Sequence, residues 1–261
     1  MGRKLRPVTS QSLEHHALAA LAGAGAGAVN AIAGGGTLIS FPVLVGLGVG
    51  KVAANVTNTV ALCPGYFGGA VAQRAELAKV TDRIARLGVA AGLGGLTGSV
   101  LLLATGEAAF TKVVPWLILL ACGLLGGQNR LRAALRIGQR DHTVSSPVGP
   151  MIAVFLAAIY GGYFGAGLSI MLLAVLGLAF ADPLPRLNAL KQVLSLIINV
   201  VAAIFFATSG KVQWTLAAVM APASLLGGLA GGKLVGHIKP SVLRAVVVTY
   251  GTVLAFWYLL R

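Results

Sequence analysis

An all-α integral membrane protein is the fold class this sequence predicts, with about ten helical segments in two inverted five-segment repeats and broken or re-entrant helix hairpins. Three observations lead there: too little charge for a water-facing surface, apolar runs of helical length, and glycine and asparagine features that recur in the same order in both halves. The 261 residues are 57% hydrophobic and 10% charged, whereas a soluble domain carries about 25% charged residues. Lipid must then be the solvent for most of the surface. Backbone groups in hydrocarbon have to be paired internally, which leaves helices or a closed barrel. The runs are continuous rather than alternating with period two, and this selects helices.

Ten apolar segments follow one another at 16–33, 37–50, 53–73, 84–105, 113–130, 151–164, 168–181, 187–208, 213–236 and 241–260. A polar tail (1–15) precedes them. The basic sequence MGRKLRPVTSQSLEHH leads straight into a glycine cluster, so it reads as the start of an uncleaved first segment rather than as a signal peptide. A basic connecting stretch, 131–150, with Arg132, Arg136, Arg140, Asp141 and His142, separates a first membrane repeat (16–130) from a second (151–261). Segments 37–50, 151–164 and 168–181 are shorter than the roughly 20 residues that cross a bilayer. With their partners they read as hairpins of broken helices.

The repeat rests on spacing. Gly34-Gly35-Gly36 precedes Asn55 by 21 positions, and Gly165-Ala166-Gly167 precedes Asn188 by 23. Asn55 lies 40 positions before Gly95 in Gly94-Gly95-Leu96-Thr97-Gly98, as Asn188 does before Gly228 in Gly227-Gly228-Leu229-Ala230-Gly231. An odd number of segments per copy inverts the second copy, an arrangement common among secondary transporters. Basic residues set the orientation. Loops with Arg74, Lys79, Arg83, Arg86, Arg130 to Arg140, Arg186, Lys239 and Arg244 outweigh those with Arg3, Lys4, Arg6, Lys51, Lys112, Lys211 and Arg261. The richer set is placed in the cytoplasm and both termini outside, although the basic N-terminus pulls the other way.

The net charge of +14 falls between apolar runs, where it meets anionic lipid rather than nucleic acid. Cys63 and Cys122 lie in apolar runs without paired ligands, so no metal and no cofactor is expected. No Walker loop, His-x-x-x-His pair or nucleophile elbow is present, and no enzyme is expected. Trp116, Trp214, Trp257 and Tyr258 lie near segment ends as an aromatic belt would, and His237 reads as an interfacial anchor.

The glycine trios disfavour helix, each glycine costing roughly 1 kcal/mol relative to alanine. A new helix starting at Thr37 would aim its free N–H groups and partial positive charge at the tip, and Pro42 would kink or stop it. Gly165, Ala166, Gly167, Leu168 and Ser169 repeat the device. Whether the trios form an anion site or are close-packing turns stays open on local sequence alone. Asn55, Asn58 and Thr59 open the third segment, and Asn188, Lys191, Gln192, Ser195 and Asn199 line one face of the eighth. These polar faces suit either interhelical hydrogen bonding or a cavity. An intramembrane lysine favours a site, unless it snorkels to the interface. All six acidic residues (Glu14, Glu76, Asp82, Glu107, Asp141 and Asp182) fall in or beside loops. With no carboxylate in the membrane core, an anion is the expected cargo.

Gly34-Gly35-Gly36-Thr37, Pro42 and Leu44 followed by Asn55 and Asn58, with Gly165-Ala166-Gly167-Leu168-Ser169 and the Asn188 region as a second copy, resemble the TauE/SafE sulfite exporter family. The resemblance runs from about Ala17 to the C-terminus. It implies a multi-pass plasma-membrane transporter for sulfite, sulfoacetate or other sulfur-containing organic anions. The second copy departs from the first in having Leu173 in place of the proline and Lys191 in place of Asn58.

The expected function is secondary export of such an anion by alternating access. It would bind among Gly34, Gly35, Gly36, Thr37, Asn55, Asn58, Thr59, Gly165, Ala166, Gly167, Ser169, Asn188, Lys191 and Gln192. The expected partners are the anion and the lipid bilayer, with a homodimer allowed. An anion channel and a membrane subunit of a larger assembly are the alternatives.

Overall fold

A computed structural model describes residues 8–134, 148–234 and 240–260, and they are helical with no strand among them. The chain order is α1 (Val8–Ile32), α2 (Thr37–Gly46), α3 (Lys51–Ala72), α4 (Arg74–Leu77), α5 (Thr81–Gly126), α6 (Gln128–Ala134), α7 (Val148–Tyr163), α8 (Leu168–Ala179), α9 (Leu184–Ala207), α10 (Trp214–Leu234) and α11 (Pro240–Leu259). Three of these, α5, α9 and α10, are long and apolar enough to cross a membrane by length and composition. Of the residues singled out above, Arg3, Lys4, Arg6, Arg136, Arg140, Asp141, His142, His237, Lys239 and Arg261 lie outside the described residues.

Helix α1 begins at Val8, so the second half of the expected polar tail is helical. Leu13 and Glu14 are good helix formers, and a helix that has left the hydrocarbon needs no apolar residue to continue. Pro42 does not stop α2, which runs on to Gly46. It sits at the sixth helical position, where the missing N–H costs a single bond to Leu38. Helix α5 spans 46 residues and would be about 69 Å long if straight, roughly twice the hydrocarbon thickness. It breaks at Gly106, whose φ of 70° and ψ of −179° belong to no helix. Two arms result, 81–105 and 107–126.

The packing is interlocked. The Gly94, Gly95 and Gly98 face of the first α5 arm lies against α7 at Phe155, Ile159 and Gly162, and against α9 at Ile198. In the later part of the chain, Gly227, Gly228 and Gly231 of α10 lie against Ala24 and Ala28 of α1 and Gly65 of α3. A Cβ added at Gly162 would collide with the Gly95 carbonyl, and one at Gly228 with the Gly65 carbonyl. These are backbone-on-backbone seams, the packing that small residues permit where helices gain no hydrophobic drive from one another. Helices α3 and α9 run antiparallel side by side, with Gln73 meeting Asn188 and Tyr66 meeting Gln192. Helix α11 packs on the second α5 arm, where Gly251 faces Cys122.

The ends are tied electrostatically. Arg83 and Arg186 both bind the carboxylate of Asp182, Arg186 lies 3.8 Å from Glu76, and Arg83 covers the Phe180 ring at 4.3 Å. This joins the α4–α5 corner to the α8–α9 link. At the opposite end of α3, Glu107 follows the Gly106 break and accepts the Lys51 and Val52 N–H groups at 2.6 and 3.1 Å. A carboxylate there satisfies orphan donors and the helix dipole together.

Candidate functional site

The two glycine trios are where α1 gives way to α2 and α7 to α8. Gly34 and Gly35 have φ of 79° and 94°, and Gly165 and Gly167 both have 78°. An L-residue rarely adopts these values, so both breaks need glycine. The two tips meet. A Cβ on Gly34 would lie 2.7 Å from the Ser169 Cβ.

Each tip is braced from the helix before it. Asn30 Oδ1 accepts the Gly36 N–H at 2.7 Å, and the Tyr160 hydroxyl donates to the Ala166 carbonyl at 2.5 Å. Neither bracing residue is marked by a pattern in the sequence. Each is a single polar group in an apolar run, and only its partner across the fold reveals it. No side chain caps the first turn of α2 or α8. The expected row of free donors is not there: Leu38 and Ile39 give their N–H groups to the Gly35 and Gly36 carbonyls, and Leu168 and Ile170 give theirs to Gly165 and Gly167. The tips thus offer the helix dipole rather than a set of bare N–H groups.

The start of α3 lies between the tips. Asn55 donates its amide to the Tyr163 carbonyl at 2.9 Å, at the end of α7 just before the second tip. One turn on, Asn58 lies 3.5 Å from the Thr37 hydroxyl of the first tip. Thr59 turns its hydroxyl back to the Asn55 carbonyl at 3.0 Å, so it serves its own helix. Thr37, Asn55, Asn58 and Ser169 are each no more than 4% exposed. The amide oxygens of Asn55 and Asn58 and the hydroxyl of Ser169 have no hydrogen-bond partner within the protein.

The remaining predicted residues gather elsewhere. Asn188 donates to the Gln73 side chain at 2.7 Å and accepts from the Lys191 ammonium at 2.8 Å. Gln192 donates to the Tyr66 carbonyl at 3.4 Å and lies beside Gly69. Lys191 is 2% exposed, one of the largest fully buried side chains of the protein. It does not snorkel to water. Asn58 lies in the third turn of α3 and Gln73 closes it, and the 15 steps from one to the other span about 22 Å of helix. The predicted residues thus form two groups. Gly34, Gly35, Gly36, Thr37, Asn55, Asn58, Gly165, Ala166, Gly167 and Ser169 surround the meeting tips. Asn188, Lys191 and Gln192 lie further along α3, beneath the Arg83–Asp182–Arg186 cluster. Gln73, Asn30 and Tyr160 join them from outside the expected set.

Among the described residues, no group of His, Cys, Asp and Glu could hold a metal ion. The chemistry available is a buried ammonium, hydroxyls, helix starts and amide oxygens. These are means of binding and releasing a small polar solute.

The whole arrangement falls within one matched region. The model of the family "Sulfite exporter TauE/SafE" covers residues 19–258. A Haemophilus influenzae protein named "Probable membrane transporter protein" is 29% identical over 228 residues, which cover 84% of this chain and 85% of the relative. The Escherichia coli K12 "Probable membrane transporter protein YfcA" is 25% identical over 232 residues, 88% of this chain and 84% of the relative. No solved structure matches the chain significantly. With both glycine tips, the α3 and α9 polar faces and the glycine seams all inside the matched residues, the chain belongs to the TauE/SafE sulfite exporter family of membrane transporters.

Proposed function

We propose that the chain is a multi-pass plasma-membrane secondary transporter that exports a small sulfur-containing anion such as sulfite, sulfoacetate or another organosulfonate. The observation that carries the sign of the cargo is Lys191, an ammonium 2% exposed within an apolar bundle. Ionisable groups at such depth are costly to hold and mark substrate paths. The family description supports a sulfur oxyanion.

The mechanism follows from the two groups of polar residues. Ten segments in two inverted five-segment repeats, with α3 and α9 as an antiparallel central pair, supply two related half-sites. The anion binds between the Lys191 group and the tips, with the first turns of α2 and α8 facing it. Rocking of one repeat against the other then opens one end at a time. In this reading the Arg83–Asp182–Arg186 cluster serves as the gate beneath Lys191. Parallel packing of α10 with α1 and α3, and of the first α5 arm with α7 and α9, supports the inverted repeat, because each half lends its fourth segment to the other.

Thermal stabilisation of the purified protein by sulfite, sulfate, sulfoacetate, taurine and chloride tests the reading, since a ligand of the folded state raises apparent stability by mass action. A selective rise with one sulfur anion, absent in Lys191→Ala, is expected. No shift with any anion at millimolar concentration in the wild type would sink the anion site.

A further inference from the structure

We propose that the protein binds a monovalent alkali cation where the two tips meet α3, with the Asn55 and Asn58 amide oxygens and the Ser169 hydroxyl as ligands. This goes beyond the anion reading and rests on a different set of atoms.

The argument starts from which end of each amide is used. Asn55 gives its NH₂ to the Tyr163 carbonyl at 2.9 Å. A carbonyl only accepts, so this bond fixes the amide orientation and leaves Oδ1 pointing away. Asn58 turns its NH₂ toward Thr37 at 3.5 Å, again leaving Oδ1 without a protein donor. The two asparagines are one turn apart on α3 and so share a face. Ser169 belongs to the second tip, where its Cβ adjoins Gly34 of the first, and its hydroxyl has no protein partner either. All three side chains are at most 3% exposed.

Buried acceptors without donors are rare and costly. Two amide oxygens on α3, which can only accept, and a hydroxyl on the second tip, which can accept as well as donate, make a set that can satisfy a cation. Each amide turns its nitrogen to the protein, toward the Tyr163 carbonyl and toward Thr37, so the oxygen is the end left for a ligand. Neutral carbonyl and hydroxyl oxygens are hard ligands. With no carboxylate among them, they suit a single positive charge better than a double one. A cation here would also offset part of the charge of an anion entering the bundle, which is the condition for coupling the two.

The test is apparent melting temperature of the purified full chain against Na⁺, K⁺ and Li⁺ gluconate, with choline gluconate holding ionic strength constant. Wild type, Ser169→Ala, Asn58→Leu and Asn58→Asp are compared. A saturable rise with one alkali cation is expected in the wild type. It should be lost in Ser169→Ala and Asn58→Leu and appear at lower cation concentration in Asn58→Asp, which keeps the oxygen and adds a charge. A melting temperature indifferent to all three cations would overturn the proposal and leave water as the partner of these oxygens. So would a cation shift unchanged in Ser169→Ala and Asn58→Asp. Running the anion series in choline separates the two readings: an anion shift without any cation effect removes the cation site and leaves the anion site standing.

Discussion

Asn55 and Asn188 hold corresponding positions 40 residues ahead of matching glycine pairs, yet they do different things. Asn55 reaches across to the end of α7 and ties α3 to the second tip. Asn188 binds Gln73 and Lys191, at the far end of the same α3. One turn further on, Asn58 turns its NH₂ toward Thr37 and leaves its oxygen without a protein donor, where its counterpart Lys191 brings a buried ammonium. On the repeat we propose, the chemistry has diverged into a part with bare amide oxygens and a part with a buried ammonium. A repeat fixes where polar groups can stand, and single substitutions decide what they bind.

The largest effect should come from breaking what the halves share. Gly162→Val and Gly228→Val put a Cβ into the backbone of Gly95 and Gly65. Neither carbonyl can move without its helix, so the cost should exceed the roughly 1–3 kcal/mol usual for overpacking. Both variants should fail to give a monodisperse peak in size-exclusion chromatography, whereas Gly123→Ala, which meets open space, should elute as wild type. A tolerated Gly162→Val beside a lethal Gly228→Val would mean that the two seams are not equivalent.

Next in size is the exchange of chemistry between corresponding positions. Lys191→Ala should weaken anion binding by roughly 2–5 kcal/mol, the scale for removing one member of a buried charge interaction. Asn58→Ala should change it by less than about 1 kcal/mol, since no donor is lost from the anion. Isothermal titration with sulfite separates the two. Equal losses would show that the halves have not diverged as the geometry implies.

Smaller again is the pair Asn55→Ala and Asn188→Ala. Asn55→Ala should cost about 1–3 kcal/mol in thermal stability, because it leaves the Tyr163 carbonyl unpaired. Asn188→Ala should affect anion binding more than stability, because it removes the acceptor 2.8 Å from the Lys191 ammonium. The smallest effect is at the rim. Asp182 is 6% exposed, but asparagine keeps one acceptor oxygen for its two partly exposed arginines, so Asp182→Asn should lower stability by about 1 kcal/mol. The loss should shrink further as salt is raised.

Much of this was legible in the sequence. The trios announced the breaks because glycine is the residue that tolerates the φ values found there. The polar faces of α3 and α9 stood out because amides and a lysine are costly in apolar runs. The division of the predicted residues into two groups was not legible, since periodicity gives a face of a helix and not a height along its neighbour. Asn30 and Tyr160 were missed because a single polar residue inside an apolar run carries no signature until its partner is known. The Glu107 cap on α3 comes from 55 to 56 residues away, beyond the reach of any local capping rule. The matching positions of the glycine clusters could not say that α10 would approach α1 and α3 rather than its own half.

That crossing has a consequence for how the chain is made. Synthesis delivers α1 and α3 to the membrane long before α10 leaves the ribosome. Until then their glycine faces have no matching surface, and lipid or an insertion factor must cover them. The early half is therefore a waiting intermediate whose assembly is completed by the late half. A chain released after Gly126 should be degraded in cells unless the segment from 148 onward is supplied on a second polypeptide, and pulse-chase labelling of the two fragments, alone and together, would reveal that dependence.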